Sequence, residues 1–552
     1  MEKQVSTAST KSRAGGKKGS QPNQARANMK GRYEAEEAAN FSEISEQKLW
    51  LIGSAVILII AAVLRLYHLD LVPFHHDEGV NGFFLTRLYR DNFYQYDPQN
   101  YHGPTLYYFA LSSTFIFGLT SFAVRFVTAA FGTATVWLIL LLRRQLGVVG
   151  ALAAAAFLAV SPGAVYLSRY FIHESLFVFF TLWIIYSVVR YTEDASPLHL
   201  MNASLATALL FATKETAIIN AGVLAIAGVS TAVYARLRGT VESGKANVRD
   251  TRWSGYEQGE ESWTAKLEKF GSPSQLALYA LAASALFLIV SVLFYSSFFS
   301  NYPKGIHDAI EAFKFWSKTG KTEHAHEWSQ YLQWLRTEEA VLLITGATGT
   351  LIAFLTARNR FAIFAALWAT GTIAAYSLIT YKTPWLCLNF IVPLAVIGGY
   401  GVGAIYYWAS TDRERTILIL VTLSMLCFSF YQMVDLNFIH YDDDHYAYVY
   451  AHTKRDVFDL LGAINEIASA AQTGRDTQIA IVSPDYWPLP WYLRDYKQVG
   501  FYGRTISDPT QQIVIGSTAQ QSELQLTLGA NYQLAGTYTL RPGVDLLLYV
   551  RR

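Results

Sequence analysis

The sequence predicts an α-helical polytopic membrane protein with about eleven transmembrane helices, further interfacial helices and a small C-terminal α/β domain. Of its 552 residues, 52% are hydrophobic and only 16% are charged, which is too few charges for a soluble protein of this size. Long apolar runs recur between residues 49 and 434, whereas residues 435–552 are more polar. The formal net charge of +2 is near balance, so the composition gives no reason to expect a nucleic-acid partner.

Residues 1–48 are predicted to form a disordered, basic tail on the cytoplasmic side. They contain nine Lys and Arg residues, are rich in Ser, Gln, Gly and Ala, and show no apolar periodicity. The first apolar run, 49–66, begins too far from the N-terminus for a cleavable signal peptide. We therefore expect this run to be a permanent transmembrane helix that opens a membrane domain at residues 49–434.

The topology depends on one doubtful apolar run, 105–121. If it crosses the membrane, Arg143, Arg144 and the later Arg-rich loops lie outside; if it rests along the outer interface, they are cytoplasmic, as the positive-inside rule favours. We adopt the interfacial arrangement, and an ordinary short span is the alternative. The candidate runs are 49–66, 105–121, 126–142, 148–167, 175–191, 198–213, 217–235, 276–299, 340–357, 361–380, 385–409 and 416–434.

This arrangement places the N-terminus in the cytoplasm and the C-terminus outside a cytoplasmic membrane. The external segments then include a long loop at 67–125 and the whole of 435–552, which has the length of one domain. Within that domain, apolar spacing predicts an amphipathic helix over 454–471. Short β-prone runs predict strands at 478–483, 512–516 and 545–550.

The sequence PFHHDEG, at 73–79, directly follows the first span and is the main candidate for a site. Asp77 and Glu78 are adjacent, so on a turn both carboxylates can approach one substrate. One could take a proton from an attacking hydroxyl while the other holds a metal or a sugar hydroxyl. His76 is a candidate metal ligand, and a divalent metal is the candidate cofactor. The alternative is a solvated loop with helix-capping acids.

Four further external segments, where the chain leaves or enters a span, carry ionisable residues. We call these segments corners. His102 could contact an anionic headgroup. Arg169, His173 and Glu174 cluster at the next corner, where the Arg could instead snorkel to the interface. Lys214, beside Glu215, and Lys382 stand at the remaining two, and each could hold a phosphate as a point charge. Self-neutralisation of the Lys214–Glu215 pair and interfacial anchoring of the lysines are the alternatives.

Taken in order, these corners resemble the membrane glycosyltransferases of the GT-C fold, in particular protein O-mannosyltransferases and the aminoarabinose transferases of lipid A. Those families place an Asp-Glu motif in the first external loop, as at Asp77 and Glu78. Their Lys- or His-Pro-Pro-Leu stretch before Tyr-Trp is similar to HGPTLYY at 102–108, with one Pro fewer. Their Arg-Leu-Pro motif is similar to AVRF at 123–126, without the Pro.

The later motifs follow in the same order. The family's Ser-Arg before an acid resembles Ser168 and Arg169 followed by Glu174, its Thr-Lys-Gly-Pro resembles TKET at 213–216, and its Lys-Leu-Pro-Tyr resembles KTPW at 382–385. The resemblance runs from residue 49 to about residue 409. A flippase-activity-associated, mannosyltransferase-like subfamily of archaea and bacteria is more similar still, with its HHDEG and YKTPW stretches.

The resemblance implies a transferase that moves a sugar, with mannose as the candidate, from a polyprenyl-phosphate carrier to an acceptor outside the membrane. Asp77 would be the general base of an inverting reaction, and Glu78 and Glu174, with His76 or His173, would orient the acceptor or hold a metal. Lys214, Lys382 and Arg169, with His102 in reserve, would bind the leaving phosphate. The acceptor would be a glycan, lipid or protein. The alternative is a non-catalytic or flippase-associated protein that binds lipid-linked sugars.

Overall fold

The computed structural model describes residues 46–100, 102–242, 270–316, 325–357 and 359–552. Residues 1–45, which make up nearly all of the predicted N-terminal tail, lie outside these ranges. Residues Ser54–Arg552 form one compact unit.

The part of the chain before residue 435 is built from helices. Their bounds are α1 Glu46–Leu66, α2 His76–Asp91, α3 Thr105–Phe117, α4 Ser121–Leu141, α5 Arg143–Val160, α6 Pro162–Ser168, α7 Glu174–Asp194, α8 Pro197–Phe211, α9 Ala217–Glu242, α10 Pro273–Tyr295, α11 Lys304–Trp316, α12 Gln330–Glu338, α13 Ala340–Thr356, α14 Arg360–Leu378, α15 Leu388–Trp408 and α16 Asp412–Val434. A 3₁₀ turn, Pro384–Cys387, leads into α15. The prediction of a helical membrane protein is therefore confirmed.

Nine helices among the described residues are long and apolar enough to cross a membrane, or ten if α12 and α13, which meet at a bend of 110°, are one span. Two apolar helices are shorter. Helix α3 has 13 residues and α8 has 15, so at 1.5 Å per residue each is about 20 Å long, against a hydrocarbon core of about 30 Å. The short α3 suits the predicted interfacial position, and the predicted total of eleven requires α8 to cross.

Helix α15 forms the centre of the membrane domain. It packs against α5, α13 and α14, and nearly all of its residues are buried. Glycines allow this close approach: a Cβ on Gly349 of α13 would lie 2.0 Å from the Ile397 carbonyl oxygen, and one on Gly399 would lie 2.4 Å from Ala154 Cβ of α5. Small residues at such contacts are typical of helix packing in membranes.

The C-terminal residues form the small α/β domain that the sequence predicts. The elements are α17 Asp456–Ala470, β1 Gln478–Ile481, the one-turn α18 Leu489–Tyr492, β2 Gln498–Phe501, β3 Ile513–Ser517, α19 Gln521–Leu528, β4 Tyr532–Arg541 and β5 Val544–Arg551. The sheet has the order β2-β1-β3-β5-β4, with β1 parallel to β2 and β3, and β5 antiparallel to β3 and β4. One face packs on the amphipathic helix α17 around Ile464, Ile479 and Ile515.

The segment around α18 attaches this domain to the loop that precedes α2. The ring of Trp491 stacks on Phe74, with centroids 4.9 Å apart and an interplanar angle of 9°. Its indole Nε1 donates to Ser121 Oγ at 3.2 Å, and Phe74 N donates to the Tyr492 hydroxyl at 2.8 Å. The sheet domain is therefore joined to the membrane domain directly beside the PFHHDEG stretch.

Candidate active site

The HHDE residues form the first turn of α2, and this turn separates the two adjacent carboxylates. His75 is the N-cap: its Nδ1 accepts from Asp77 N at 3.1 Å, while Glu78 Oε2 accepts from His75 N at 3.0 Å. This is a capping box, with a His in place of the usual Ser or Thr. Glu78 is turned back into the protein, and Asp77 points elsewhere.

Glu78 is completely buried and its carboxylate is occupied by donors from the chain itself. Arg125 of α4 donates to Oε1 through Nε at 2.7 Å and to Oε2 through Nη2 at 2.6 Å, and Phe171 N donates to Oε1 at 2.7 Å. Arg125 Nη1 also donates to the carbonyls of Leu69 and Val72. We expected Glu78 to orient the acceptor or a metal; its surroundings instead fit a residue that fixes the loop to α4.

Asp77 keeps part of its carboxylate free. Its side chain is 40% exposed, and Oδ2 lies 3.9 Å from His75 Nδ1. It also stands at the N-terminus of α2, where the helix dipole favours a negative charge. Within the PFHHDEG stretch, Asp77 is thus the carboxylate that an approaching substrate can reach.

Two histidines tie this turn to the beginning of the C-terminal segment. Since His75 Nδ1 accepts from an amide, its Nε2 carries the proton and donates to Tyr450 O at 3.2 Å. His452 Nε2 lies 3.1 Å from Pro73 O, and the two rings are 5.3 Å apart. Burial lowers the pKa of His75 to about 4 and holds that of His452 well below its usual value. Both rings are therefore neutral at pH 7.

Lys214 and Glu174 form a buried ion pair at 2.5 Å. Burial alone would lower the pKa of Lys214, but the carboxylates of Glu174 and Glu215 more than offset this and raise it above its usual value. The adjacent Glu215 bonds elsewhere, so the suggested Lys214–Glu215 self-neutralisation is wrong: the lysine is neutralised by an acid from another corner.

His102 pairs with Glu215 and completes this second cluster. His102 Nδ1 lies 3.0 Å from Glu215 Oε2, and its ring is 4.8 Å from that of His173. His173 Nε2 contacts Gly103 O at 3.2 Å, and burial lowers its pKa well below the usual value, with His102 and Lys214 adding to the effect. Backbone bonds from Gly103 N to Thr213 O hold the two corners together. The structure thus brings His102, His173, Glu174 and Lys214 into one group.

Arg169 has a structural position at the end of α1. Its Nη1 donates to Leu64 O and Tyr67 O, its Nη2 donates to His68 O, and its guanidinium lies 4.6 Å from the Phe438 ring centroid. Leu64 is in the last turn of α1, and Tyr67 and His68 directly follow its end at Leu66, where a cation is stabilising. In this structure the guanidinium caps α1, and the phosphate contact stays a prediction.

Lys382 is buried and has only neutral partners. Its Nζ donates to Ile379 O, lies 3.5 Å from His326 O and sits 5.9 Å from the Tyr331 ring centroid. In the part of the chain that the structure describes, no carboxylate lies within ion-pairing distance of it. Burial accordingly lowers its pKa. A buried cation without a counter-ion is suited to receive an anion.

His76 lies on the exposed side of the α2 turn, near the C-terminal domain. Its ring is 6.0 Å from that of Trp487, and burial lowers its pKa despite the neighbouring Asp77. The described residues contain one group of three possible metal ligands, Asp443, Asp444 and His445 on an exposed turn. His76 is not part of such a group, so its geometry gives no support for metal binding.

Aromatic contacts connect the separate corners to α2. The His75 ring meets Tyr170 at 5.3 Å and Trp385 at 6.0 Å, and Trp385 follows Lys382 by three residues. On the other side, Tyr107 donates to Asn81 of α2 at 2.9 Å and lies 5.8 Å from His173. No role was predicted for Arg125 or His75 from the sequence. Arg125 is a single charged residue at the edge of an apolar run. Such a residue requires a buried partner, and this pattern could have indicated its structural role.

Comparison with known proteins is consistent with this architecture. The family model described as Dolichyl-phosphate-mannose-protein mannosyltransferase matches residues 101–242, about a quarter of the chain. No curated protein matches the chain significantly in sequence. The apo structure of ArnT from Cupriavidus metallidurans is similar with a TM-score of 0.61 at 13% identity, covering 91% of this chain and 98% of that one.

Two further solved structures show the same fold. ArnT from Cupriavidus metallidurans bound to undecaprenyl phosphate has a TM-score of 0.56 at 13% identity, covering 90% of this chain and 97% of that one. The apo oligosaccharyltransferase of Archaeoglobus fulgidus has a TM-score of 0.51 at 12% identity, covering 87% and 71%. The fold expected from the ordered corners is confirmed: this multi-pass membrane protein has a GT-C-like fold, similar to that of these glycosyltransferases.

Proposed function

We propose that this protein is a glycosyltransferase that moves a sugar from a polyprenyl-phosphate carrier to an acceptor at the outer face of the cytoplasmic membrane. The observation that carries the proposal is the division of roles between Asp77 and Glu78: one carboxylate is 40% exposed, and the other is fully buried against Arg125. A reaction that needs one accessible base held in a fixed position accounts for both. The GT-C fold, and the undecaprenyl phosphate bound by a relative of that fold, support the class of donor.

In the proposed reaction, Asp77 is the general base. Its carboxylate takes the proton of the acceptor hydroxyl as the hydroxyl oxygen attacks the anomeric carbon. The new C–O bond forms on the face opposite the phosphate, so the anomeric configuration inverts. The bond from the anomeric carbon to the phosphate oxygen breaks, and its electron pair leaves with the polyprenyl phosphate.

Lys382 is the phosphate-binding residue in this proposal. The leaving phosphate gains charge as its bond breaks, and a fixed cation in a water-poor site stabilises that charge. Lys214 already has Glu174 at 2.5 Å, and Arg169 has three carbonyl partners. Lys382 faces only carbonyl oxygens and an aromatic ring. We therefore assign Lys214, Glu174, His102 and His173 to positioning the site, and Lys382 to the carrier.

A reconstituted assay tests the proposal. Purified full-length protein in liposomes is supplied with radiolabelled polyprenyl-phosphate mannose, or the glucose and aminoarabinose equivalents, and with membrane extracts as acceptor. Transfer of label that is lost in Asp77→Asn and retained in Asp443→Asn, a substitution on the exposed turn, is the expected result. Donor binding without transfer for every donor and extract would instead favour a non-catalytic carrier-binding protein.

A further inference from the structure

A row of aromatic rings leads from the residue beside Asp77 onto the C-terminal domain. The His76 ring is 6.0 Å from Trp487, Trp487 is 5.5 Å from Tyr486, and Tyr486 is 5.3 Å from Phe501 on β2. We call these four residues the aromatic ladder. The ring-to-ring distances are nearly equal, and neighbouring rings are tilted by 51°, 37° and 45° to one another.

The ladder remains accessible to solvent. His76, Trp487 and Tyr486 are half-buried, and Phe501 is 37% exposed. Trp491, four residues after Trp487, shows the contrast: it is 1% exposed and serves the domain interface. Tyr486 also packs against the core of the sheet domain, which fixes its position. Contiguous aromatic side chains that remain partly exposed are typical of interaction surfaces.

Close packing fixes the ladder to the helix that carries Asp77. A Cβ on Gly79 would lie 2.7 Å from Pro488 Cβ and 3.2 Å from Trp487 Cε3. Phe83, one turn further along α2, has its ring 6.0 Å from Trp487. Because Gly79 is two residues from Asp77, the position of the first rings relative to the carboxylate is set by direct contact between α2 and the sheet domain.

Charged groups flank the rings and decide what kind of ligand fits. Arg541 forms an ion pair with Asp485, whose side chain is 47% exposed, and Arg541 Nη1 lies 3.5 Å from Trp487 O. A lipid chain on this surface would remove the ion pair and Asp77 from water without replacing their hydrogen bonds. A carbohydrate fits both the aromatic rings and the charged groups beside them, because its C–H faces pack on rings while its hydroxyls bond to charged groups.

We propose that the acceptor is a saccharide, and that the aromatic ladder binds the sugar residues adjoining the one whose hydroxyl is presented to Asp77. The role of Asp77 rests on the function proposed above, whereas saccharide binding by the ladder does not require transfer. The step from one ring to the next is close to the length of a single pyranose residue, so the ladder offers places for a short chain.

The experiment measures saccharide binding directly on the full-length protein in detergent. Short soluble gluco-, manno- and galacto-oligosaccharides are titrated in turn, with tryptophan fluorescence and calorimetry as readouts. At least one series is expected to bind and to change the fluorescence. Trp487→Ala and Phe501→Ala are expected to raise Kd about tenfold, the loss of roughly one aromatic contact. Trp408→Ala removes a 48% exposed indole at the far end of α15 and is the matched control, with unchanged Kd.

The outcomes separate this proposal from the proposed function. Binding and transfer are measured separately on the same wild-type preparation, so inactivity toward every donor would leave a ladder-dependent binding result intact. Absence of binding in all three series, or equal Kd for the ladder variants, overturns the ladder even if transfer is active. Hydroxyl-rich peptides or lipid vesicles that bind in place of saccharides, with sensitivity to Phe501→Ala, would also overturn it. Phe501 lies exposed on an edge strand, so its variant remains usable if Trp487→Ala does not fold.

Discussion

Arg125 and Glu78 form a bidentate ion pair, at 2.7 and 2.6 Å, with both side chains almost completely buried. Breaking such a pair leaves an uncompensated buried charge, which typically costs about 3–5 kcal/mol. Glu78→Gln is therefore expected to lower the Tm of the purified protein strongly, because Arg125 keeps its charge and loses its partner. An unchanged Tm together with abolished transfer would instead assign Glu78 a chemical role.

Asp77 should show the opposite behaviour. Asp77→Asn keeps the size of the side chain and its place in the first turn of α2 but cannot accept a proton, so transfer should fall by about 10²- to 10⁴-fold. Its Tm should match the wild type, because the carboxylate is 40% exposed and its contact with His75 Nδ1, at 3.9 Å, is too long for a hydrogen bond. Transfer rates and thermal unfolding on the same preparation check this. Near-normal transfer would reject Asp77 as the base.

Lys382 and Lys214 are both buried, yet their substitution should affect different quantities. Lys382→Met removes a cation without a carboxylate partner, so Tm should hold or rise while KM for the lipid donor rises by about tenfold or more. Lys214→Met leaves Glu174 buried and unpaired, so it should lose about 3–5 kcal/mol of stability. Donor titrations and unfolding curves of the two variants are the measurement. If both variants change only stability, Lys382 is not the phosphate ligand.

The buried His75 predicts a specific pH dependence of stability. Its pKa is about 4 in the folded protein against an ordinary value of 6.5, so between these values the unfolded chain binds a proton that the folded chain does not. Above pH 6.5, His75 therefore has no effect on the pH dependence of the free energy of unfolding. As the pH falls from 6.5 to 4, protonation of His75 in the unfolded chain lowers this free energy by about 3 kcal/mol. His75→Asn keeps a capping acceptor and should reduce the fall in Tm between pH 7 and pH 4.5.

The exposed His440 provides the control for this experiment. His440→Asn changes a histidine that is exposed, and its unfolding curves should follow the wild type at each pH. His173 and His452, whose pKa values are also lowered by burial, keep part of the acid sensitivity in His75→Asn. Identical curves for His75→Asn and the wild type would show that protonation of His75 does not limit stability.

The predicted topology can be tested at the start of α5. In a Cys427→Ser background, where Cys387 is buried, a cysteine at the exposed Arg144 should react with a membrane-impermeant maleimide only after permeabilisation. A cysteine at Asp444, exposed beside the C-terminal domain, should react in intact cells. Labelling at 144 from outside would mean that α3 crosses the membrane and that the Arg-rich loops are inverted.

The sequence was sufficient for most elements whose apolar pattern is continuous. The helix predicted over 454–471 is α17, Asp456–Ala470, and the three predicted strands are β1, β3 and β5. Strands β2 and β4 were missed because both are edge strands of the sheet. With one neighbour each and largely exposed side chains, they contain glycine and polar residues that do not distinguish a strand from a loop.

The candidate site was predicted as a set of corners, but the partners within it were not. Charged residues at the ends of spans indicated the positions of His102, Glu174, Lys214 and Lys382. Lys214 is neutralised by Glu174, which is forty residues away in the chain. The periodicity of apolar residues carries no information about such a long-range pair. Likewise, the adjacent Asp77 and Glu78 differ in burial because a helix begins at His76 and turns one of them inward.

The reciprocal bonds of the two buried histidines bear on how this protein can be divided. His75 bonds to the Tyr450 carbonyl, and His452 bonds to the Pro73 carbonyl. The loop before α2 and the segment after the last span therefore each supply one histidine and one carbonyl to the contact between them. A fragment ending at residue 439 would retain all the spans found among the described residues, yet it would lose Tyr450, which accepts from His75, and the His452 ring beside the first turn of α2. The C-terminal residues therefore help to shape the candidate site, and protein prepared for expression or crystallisation should keep the chain through Arg552.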